Sequence, residues 1–250
     1  MKQRIALQLY TLRDLLTTKD DIARTFDQVR EIGYEFVQVS GVSGATCAEL
    51  APMLATAGLK CMATHTSLDA IRDNPAAVIQ ELVDLECYHT AVAWLPNEFR
   101  TAEGFRNSGK TMGKAAEKFR EEGFTLSYHN HSFEYERFDG QTGHEIIADA
   151  GGPDLCFEFD TYWLVNAGCD PIVYLLDHAG RVPLLHLKDM AVVSDKPVMA
   201  EVGFGNLNWE GIIKASEKAG TEWLIVEQDH CLRDPLESVA MSLQFLSEGA

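Results

Sequence analysis

Apolar residues recur along this chain in two alternating periods. Short runs with a period of two are followed by longer stretches whose apolar positions fall three or four apart. Residues 5–10 read as a first strand, with Gln8 and Tyr10 on one face. Thr18, with Asp21 three positions on, opens a helix striped by Ile22, Phe26, Val29 and Ile32 and closed by Gly33. Residues 35–40 form a second strand, and the Thr46/Glu49 capping box starts a helix that runs to Gly58. A third strand at 59–65 precedes Asn74-Pro75, an N-cap followed by a proline at the first helical position. The fourth strand is 89–95, and the longest helix lies between Thr101 and Glu122. The fifth strand is 124–131, and Thr142 with Glu145 caps a short helix after it. The sixth is 155–160, with a helix from Asp170-Pro171 to Gly180. The seventh is 184–190, followed by the loop 203–208 and a helix from Trp209 to Ala219. The eighth runs from Trp223 into Glu227, and a last helix starts at Asp234-Pro235.

Strict alternation of strand and helix implies parallel strands joined by right-handed crossovers. Eight such units in 250 residues are the usual content of a closed (β/α)8 TIM barrel. An open doubly wound sheet is the alternative, but no GxGxxG follows the first strand, so a dinucleotide site has no support. No linker, low-complexity segment or charge block interrupts the chain, which reads as one domain over residues 1–250.

Composition narrows the function. At 46% hydrophobic and 24% charged the chain is an ordinary globular one, and no apolar run has the length of a membrane span. The first residues read as a strand rather than a signal peptide. Six cysteines without CxxC spacing suggest reduced thiols and a cytoplasmic protein. A formal charge of −17 argues against nucleic acid and anionic membranes as partners. A neutral or weakly charged small molecule suits it better.

In a barrel of this kind the site lies at the C-terminal ends of the strands. The residues there are Gln8 and Tyr10, Gln38 and Ser40, His65, Trp94, His129 and His131, Glu158 and Asp160, His186 and Lys188, and Glu227 and Asp229. Asp160, His186 and Glu227 end three consecutive strands. Two carboxylates flanking a histidine would repel each other unless a cation sat between them; a buried ion-pair network without metal is the structural alternative. The oxygen and nitrogen donors suit Mn2+, Mg2+, Co2+ or Zn2+ without choosing among them. His144 and His178 fall on helices or their caps and read as solvated, and the tryptophans read by default as packing residues. Gly203 and Gly205 either present backbone N–H groups to an anion or form a plain turn.

Six stretches together resemble a known family. They are Gln8 to Arg13, Tyr128 to Glu134, Asp160 to Trp163 with Ala167 to Pro171, His186 to Asp189, Val202 to Gly205, and Val226 to Asp229. The chain resembles, over nearly its whole length, the xylose isomerase-like barrels of the sugar phosphate isomerase/epimerase group. The resemblance implies one divalent metal ion held by Asp160, His186 and Glu227, with a fourth ligand from the fifth strand. Many relatives have a glutamate there and this chain has His129, so either His129 binds or Glu134 folds back to the metal. The His-Asn-His at 129–131 is also similar to inosose dehydratases and their neighbours that process keto-glycosides.

The expected activity is therefore metal-dependent isomerisation or epimerisation of a ketose or keto-sugar through an enediolate formed by α-proton abstraction. A dehydratase or lyase acting on inososes or 3-keto-glycosides is the alternative. Glu227 or Glu134 is expected to take the α-proton, with His131 and Lys188 as proton or oxyanion partners. Tyr10, Trp94 and Trp163 are expected to wall the sugar, and His65, alone a satisfied mouth histidine, is grouped with them. An abasic-site endonuclease is disfavoured by the −17 charge; a sugar-binding barrel without turnover is disfavoured by the apparent metal set. A homo-oligomer is left open.

Overall fold

A computed structural model describes residues 4–249. Eight parallel strands close into a barrel. They are β1 (Arg4–Gln8), β2 (Phe36–Val39), β3 (Lys60–Thr66), β4 (His89–Val92), β5 (Thr125–His129), β6 (Cys156–Asp160), β7 (Leu184–Leu187) and β8 (Trp223–Val226). Each pairs with its neighbours in sequence, and β1 pairs with β8 to close the ring. This is the TIM barrel that the alternation predicts.

The caps behave as their residue types dictate. Thr142 Oγ1 accepts from the Glu145 N–H at 3.1 Å while Glu145 accepts from the Thr142 N–H, completing the box that opens α6 (Gly143–Gly151). Thr18 caps α1 (Lys19–Ile32), Thr46 and Glu49 box the start of α2 (Cys47–Ala57), and Asn74 caps α4 (Pro75–Asp84). Gly33 closes α1 at φ 118°, a left-handed conformation that strains a residue with a Cβ. Two short helices escape the periodicity reading. They are α3 (Leu68–Asp73), capped by Ser67, and α7 (Thr161–Asn166), capped by Asp160. At six residues each is less than two turns long, too short to display a 3.6-residue stripe. The longer helices α5 (Ala102–Glu121), α8 (Pro171–Asp177), α9 (Trp209–Ala219) and α10 (Pro235–Gly249) complete the outer layer. Beyond β7 the chain also forms an antiparallel hairpin from Asp189 to Ala200, of which only the first two residues fall within the expected seventh strand and the rest carries no helical period.

The pleat divides the barrel wall into two faces. Outward residues such as Leu7, Val37, Tyr128, Phe157, Phe159, Leu185 and Val226 join the large core between strands and helices. Inside, Ala6, Met62, Ala63, Leu184, Trp223 and Ile225 form a separate apolar plug, backed by Phe36. Above this plug the inward positions turn polar: Gln8, Gln38, Ser127, His129, Glu158 and His186 are all buried. The barrel interior is thus apolar below and polar at its mouth.

Two features of the helix layer are specific. Helices α5 and α6 meet backbone to backbone. A Cβ on Gly109 would stand 2.8 Å from the Ile147 carbonyl oxygen, and one on Gly113 would collide with the Gly151 carbonyl. His144, expected to be solvated, is fully buried, because the first turn of α6 lies against the outward face of β6. Its ring packs among Phe157, Phe159, Tyr135, Tyr174 and the half-buried His178. Neither ring nitrogen has a hydrogen-bond partner. The cysteines are free thiols, and no helix among the described residues is long and apolar enough to cross a membrane.

Gly113→Ala should separate α5 from α6 and lower unfolding free energy by about 1–3 kcal/mol. Urea titration reads the loss, and unchanged stability would mean that the contact is dispensable. Burial, seconded by His178 and Arg181, depresses the His144 pKa to about 3. The unfolded chain therefore binds a proton below pH ~6.5 that the native state refuses, so stability is full above that pH and falls between there and about 3. The slope from this one group is at most about 1.4 kcal/mol per pH unit. His144→Phe should flatten the acid limb of stability against pH; an identical limb in the variant would refute this origin.

Candidate metal and sugar site

The neighbouring strands carry their polar ends into register. Asp160 lies beside His186 across β6–β7, His186 beside Ile225 across β7–β8, and His129 beside Glu158 across β5–β6. Thr161 locks the β6–β7 end in place. Its Oγ1 donates to the Lys188 carbonyl at 2.8 Å and accepts from the Lys188 N–H at 2.9 Å. The backbone N–H of Asp160 donates to Asn130 Oδ1 at 3.0 Å, which ties β6 to the end of β5.

The result is one cluster at the barrel mouth. Ligand atoms of His129, Asp160, His186 and Glu227 lie within 4.8 Å of one another, and all four residues are buried. Lys188 enters the same space. Its Nζ lies 3.0 Å from Asp160 Oδ2, 2.9 Å from Glu227 Oε2 and 2.8 Å from Asp229 Oδ2. The repulsion that seemed to demand a metal is thus already met by an ammonium, and repulsion alone no longer argues for a cation. The donor set does. His129 Nδ1 is buried without a hydrogen-bond partner, with Glu158 Oε2 3.5 Å away. Buried polar atoms are seldom left so. His129 belongs to the four-residue set, whose oxygen and nitrogen donors fit a divalent ion.

The charges follow from the contacts. Burial opposes the charged form of His186, but Glu158 and Glu227 outweigh it and lift the pKa to about 10. Burial likewise works against Glu158 and Glu227, yet their cationic neighbours hold both well below the usual carboxylate range. Burial lifts Asp160 to about 6 against the pull of Lys188. The three carboxylates around Lys188 overcome its desolvation and keep it protonated. His131 is pressed to about 3 by burial and by Lys188, so it is neutral.

Glu134 stands apart from this cluster. It is fully buried, accepts from the Tyr128 hydroxyl at 2.7 Å and from the His131 N–H at 2.9 Å, and burial raises it to about 7. Of the two alternatives for the fifth strand, the structure groups His129 with Asp160, His186 and Glu227 and turns Glu134 back onto its own loop.

A cavity of about 610 Å³ opens above the cluster. Tyr10, His65, Trp94 and Trp163, the expected walls, line it together with His129, His131 and Glu227. Lys188 and Glu134 do not line it. Trp94 is 49% exposed, an open aromatic face rather than packing. His131 stands edge-on to Trp94 and tilted against Trp163. Arg13, Arg100 and Asp229, which the sequence reading assigned no task in the cavity, also line it. A larger cavity of about 750 Å³ lies at the N-terminal end of the barrel, around Trp223 and His89, away from this chemistry.

The glycine loop offers no anion site. Asp189 accepts from the N–H groups of Gly203 and Gly205 at 3.0 Å and Leu207 at 3.2 Å, and from the indole N–H of Trp209 at 2.6 Å. A Cβ on Gly205 would strike Asp189, and Gly203 adopts φ 88°. The loop is a turn wrapped on a carboxylate. Only the plain-turn reading survives.

A profile of the xylose isomerase-like TIM barrels matches residues 26–248. The chain belongs to that family. A sugar phosphate isomerase/epimerase from Parabacteroides distasonis is similar in structure, with a TM-score of 0.82, 21% identity and coverage of 100% of this chain and 95% of that one. An L-ribulose 3-epimerase superposes with a TM-score of 0.72 and 17% identity, over 99% of this chain and 94% of that one. At these identities the likeness shows the fold. In sequence, the inosose dehydratase of Clostridium tetani is 26% identical over 171 residues, 60% of this chain and 56% of that protein. The match thus spans little more than half the length of that relative. Members of this family are enzymes, and both epimerases and dehydratases stand among the similar proteins.

Lys188→Met removes the one ammonium among three buried or half-buried carboxylates. It should cost about 3–5 kcal/mol of stability in metal-free protein, the loss typical of a buried pair stripped of one partner. Denaturant melts in the presence of a chelator measure it. A loss of about 1 kcal/mol or less, the scale of a surface pair, would contradict the contacts described.

Proposed function

We propose that this protein is a divalent-metal-dependent isomerase or epimerase of a ketose or keto-sugar, working by abstraction of the proton next to a carbonyl. One observation carries the reading. Four groups of ligand type from four successive strands, His129, Asp160, His186 and Glu227, converge beneath an aromatic-walled cavity. Bound there, Mn2+, Mg2+, Co2+ or Zn2+ would supply Lewis-acid polarisation of the carbonyl and charge stabilisation of the enediolate.

The chain's own residues do the rest. Glu227 lines the cavity, is ionised, and is steadied at Oε2 by His186 and Lys188, so it takes the base role. Glu134, turned away from the cavity, supports the loop that presents His131. The neutral His131 can donate or accept a hydrogen bond to a substrate oxygen without adding charge. Lys188 acts from below by holding Asp160, Glu227 and Asp229 in place. Tyr10, Trp94 and Trp163 offer faces for the carbon side of a sugar, and His65 closes the floor near them. A protein of this kind would work on a small sugar, and the acidic chain offers nothing to a polyphosphate such as DNA.

Elimination of a β-leaving group after the same first step gives the second reading, a dehydratase or lyase on inososes or 3-keto-glycosides. The likeness to an inosose dehydratase favours keeping it.

Incubation of the metal-loaded protein with a panel of keto-sugars and inososes in D2O tests both readings. Deuterium should enter the carbon beside the carbonyl, cease on chelation and return with added cation. Glu227→Gln should slow exchange by about 10²–10⁴-fold. An unsaturated or dehydrated product would select the second reading. Exchange that survives chelation, or none across the panel, would refute the metal-dependent proton abstraction common to both.

A further inference from the structure

Beneath the cluster lies a second one. His65, His129, Glu158 and His186 also bring ligand atoms within 4.8 Å of one another. It shares two histidines with the set above, so the question is which side of His186 faces a cation. Hydrogen bonding answers it.

Glu158 is fully buried and receives two donors. His65 Nε2 lies 2.7 Å from its Oε2, and Gln38 Nε2 lies 2.7 Å from its Oε1. A carboxylate accepts only, so the Gln38 amide must present its NH2 group to Glu158. That orientation leaves Gln38 Oε1 facing His186 Nε2 at 2.7 Å. An amide oxygen also accepts only, so His186 Nε2 must carry a proton. The opposite nitrogen, Nδ1, lies 2.8 Å from Glu227 Oε2 and 4.0 Å from Asp160 Oδ2. The lower cluster is therefore a cradle of donated protons, with N–H groups of His65 and His186 pointing into it.

We propose that Glu158 and Gln38 are positioning residues that fix a proton on His186 Nε2, so that Nδ1 alone is offered to a cation, which sits among His129, Asp160 and Glu227 and not in the lower cluster. The inference rests on the metal reading above. Metal-bound histidines commonly hold their second nitrogen as a donor to an oxygen acceptor, and loss of that acceptor weakens binding. Here the acceptor is an amide whose own orientation is dictated by a buried glutamate. Two strands that supply no ligand to the upper set, β2 and β3, thereby act on it through Gln38 and His65.

The test uses full-length protein with histidine labelled with nitrogen-15, read by NMR first without metal and then with zinc. In metal-free protein the His186 Nε2–H should be present and protected from solvent exchange. On zinc loading it should persist while the Nδ1 resonance moves to the metal-bound range. Glu158→Gln frees the Gln38 amide to turn, and Gln38→Leu deletes the acceptor. Each should weaken zinc affinity by about 10–100-fold, measured by competition with a chromophoric chelator. Glu158→Gln should also broaden or erase the Nε2–H signal. Far-ultraviolet circular dichroism and melting confirm that each variant is folded; should one fail to fold, the other and the wild-type spectra decide. Zinc bound through Nε2, an unprotonated Nε2 in the wild type, or folded variants with wild-type affinity would each overturn the proposal. A wild type that shows the protected Nε2–H but takes up no zinc keeps the proton assignment and overturns the metal reading, so the two fail separately.

Discussion

Charge balance inside the barrel mouth is the constraint on which the rest depends. Glu158, Asp160 and Glu227 are buried there, with Asp229 at the edge, and isolated carboxylates in such a place would be prohibitively costly. His186 and Lys188, one pleat apart on the seventh strand's end, meet these acids from the middle. Each must be delivered to within hydrogen-bonding distance. The parallel register of β5 to β8, the Thr161 lock and the Asn130 tie are what deliver them. The apolar plug fills the interior below and leaves this polarity to the mouth.

The site has two tiers with different characters. In the lower tier hydrogen bonds between matched donors and acceptors run from His65 through Glu158 and Gln38 to His186. In the upper tier His129 Nδ1 has no such match, and Asp160 Oδ2 faces the Lys188 ammonium at 3.0 Å. A fully satisfied buried network is rigid. The lower tier is thus scaffold, and the upper one keeps a nitrogen without a hydrogen-bond partner. Lys188 complicates the upper tier: it neutralises Asp160 and Glu227, so a divalent ion entering there must share them with an ammonium that can still lean on Asp229.

Much of the architecture was legible from the chain. Thr18, Thr46, Asn74, Thr101 and Thr142 mark helix starts because their side chains accept the first free N–H groups, and those marks turned out where the residues put them. The eight strands could be counted from short apolar runs between the helices. Lost to that reading were α3 and α7, too short for a stripe, and the Asp189–Ala200 hairpin, whose arms carry no helical period and adjoin a strand. In the site, strand ends indicated which residues gather. They could not say that Lys188 stands between Asp160 and Glu227, that Glu134 turns toward Tyr128, or that Glu158 bonds His65 and Gln38. Those are matters of side-chain rotamer and three-dimensional distance. His144 was misjudged for a related reason: its helix was evident, but which face of the first turn met β6 was not.

Lys188 and Asp189 are neighbours in the chain and serve opposite sides of the wall. The first reaches into the mouth; the second gathers the amides of Gly203, Gly205 and Leu207 and the Trp209 indole behind it. That outer segment is tethered through its backbone, and the side chain of Phe204 within it is 55% exposed. A substitution at position 204 would thus change the outer surface and leave the backbone bonds to Asp189 in place.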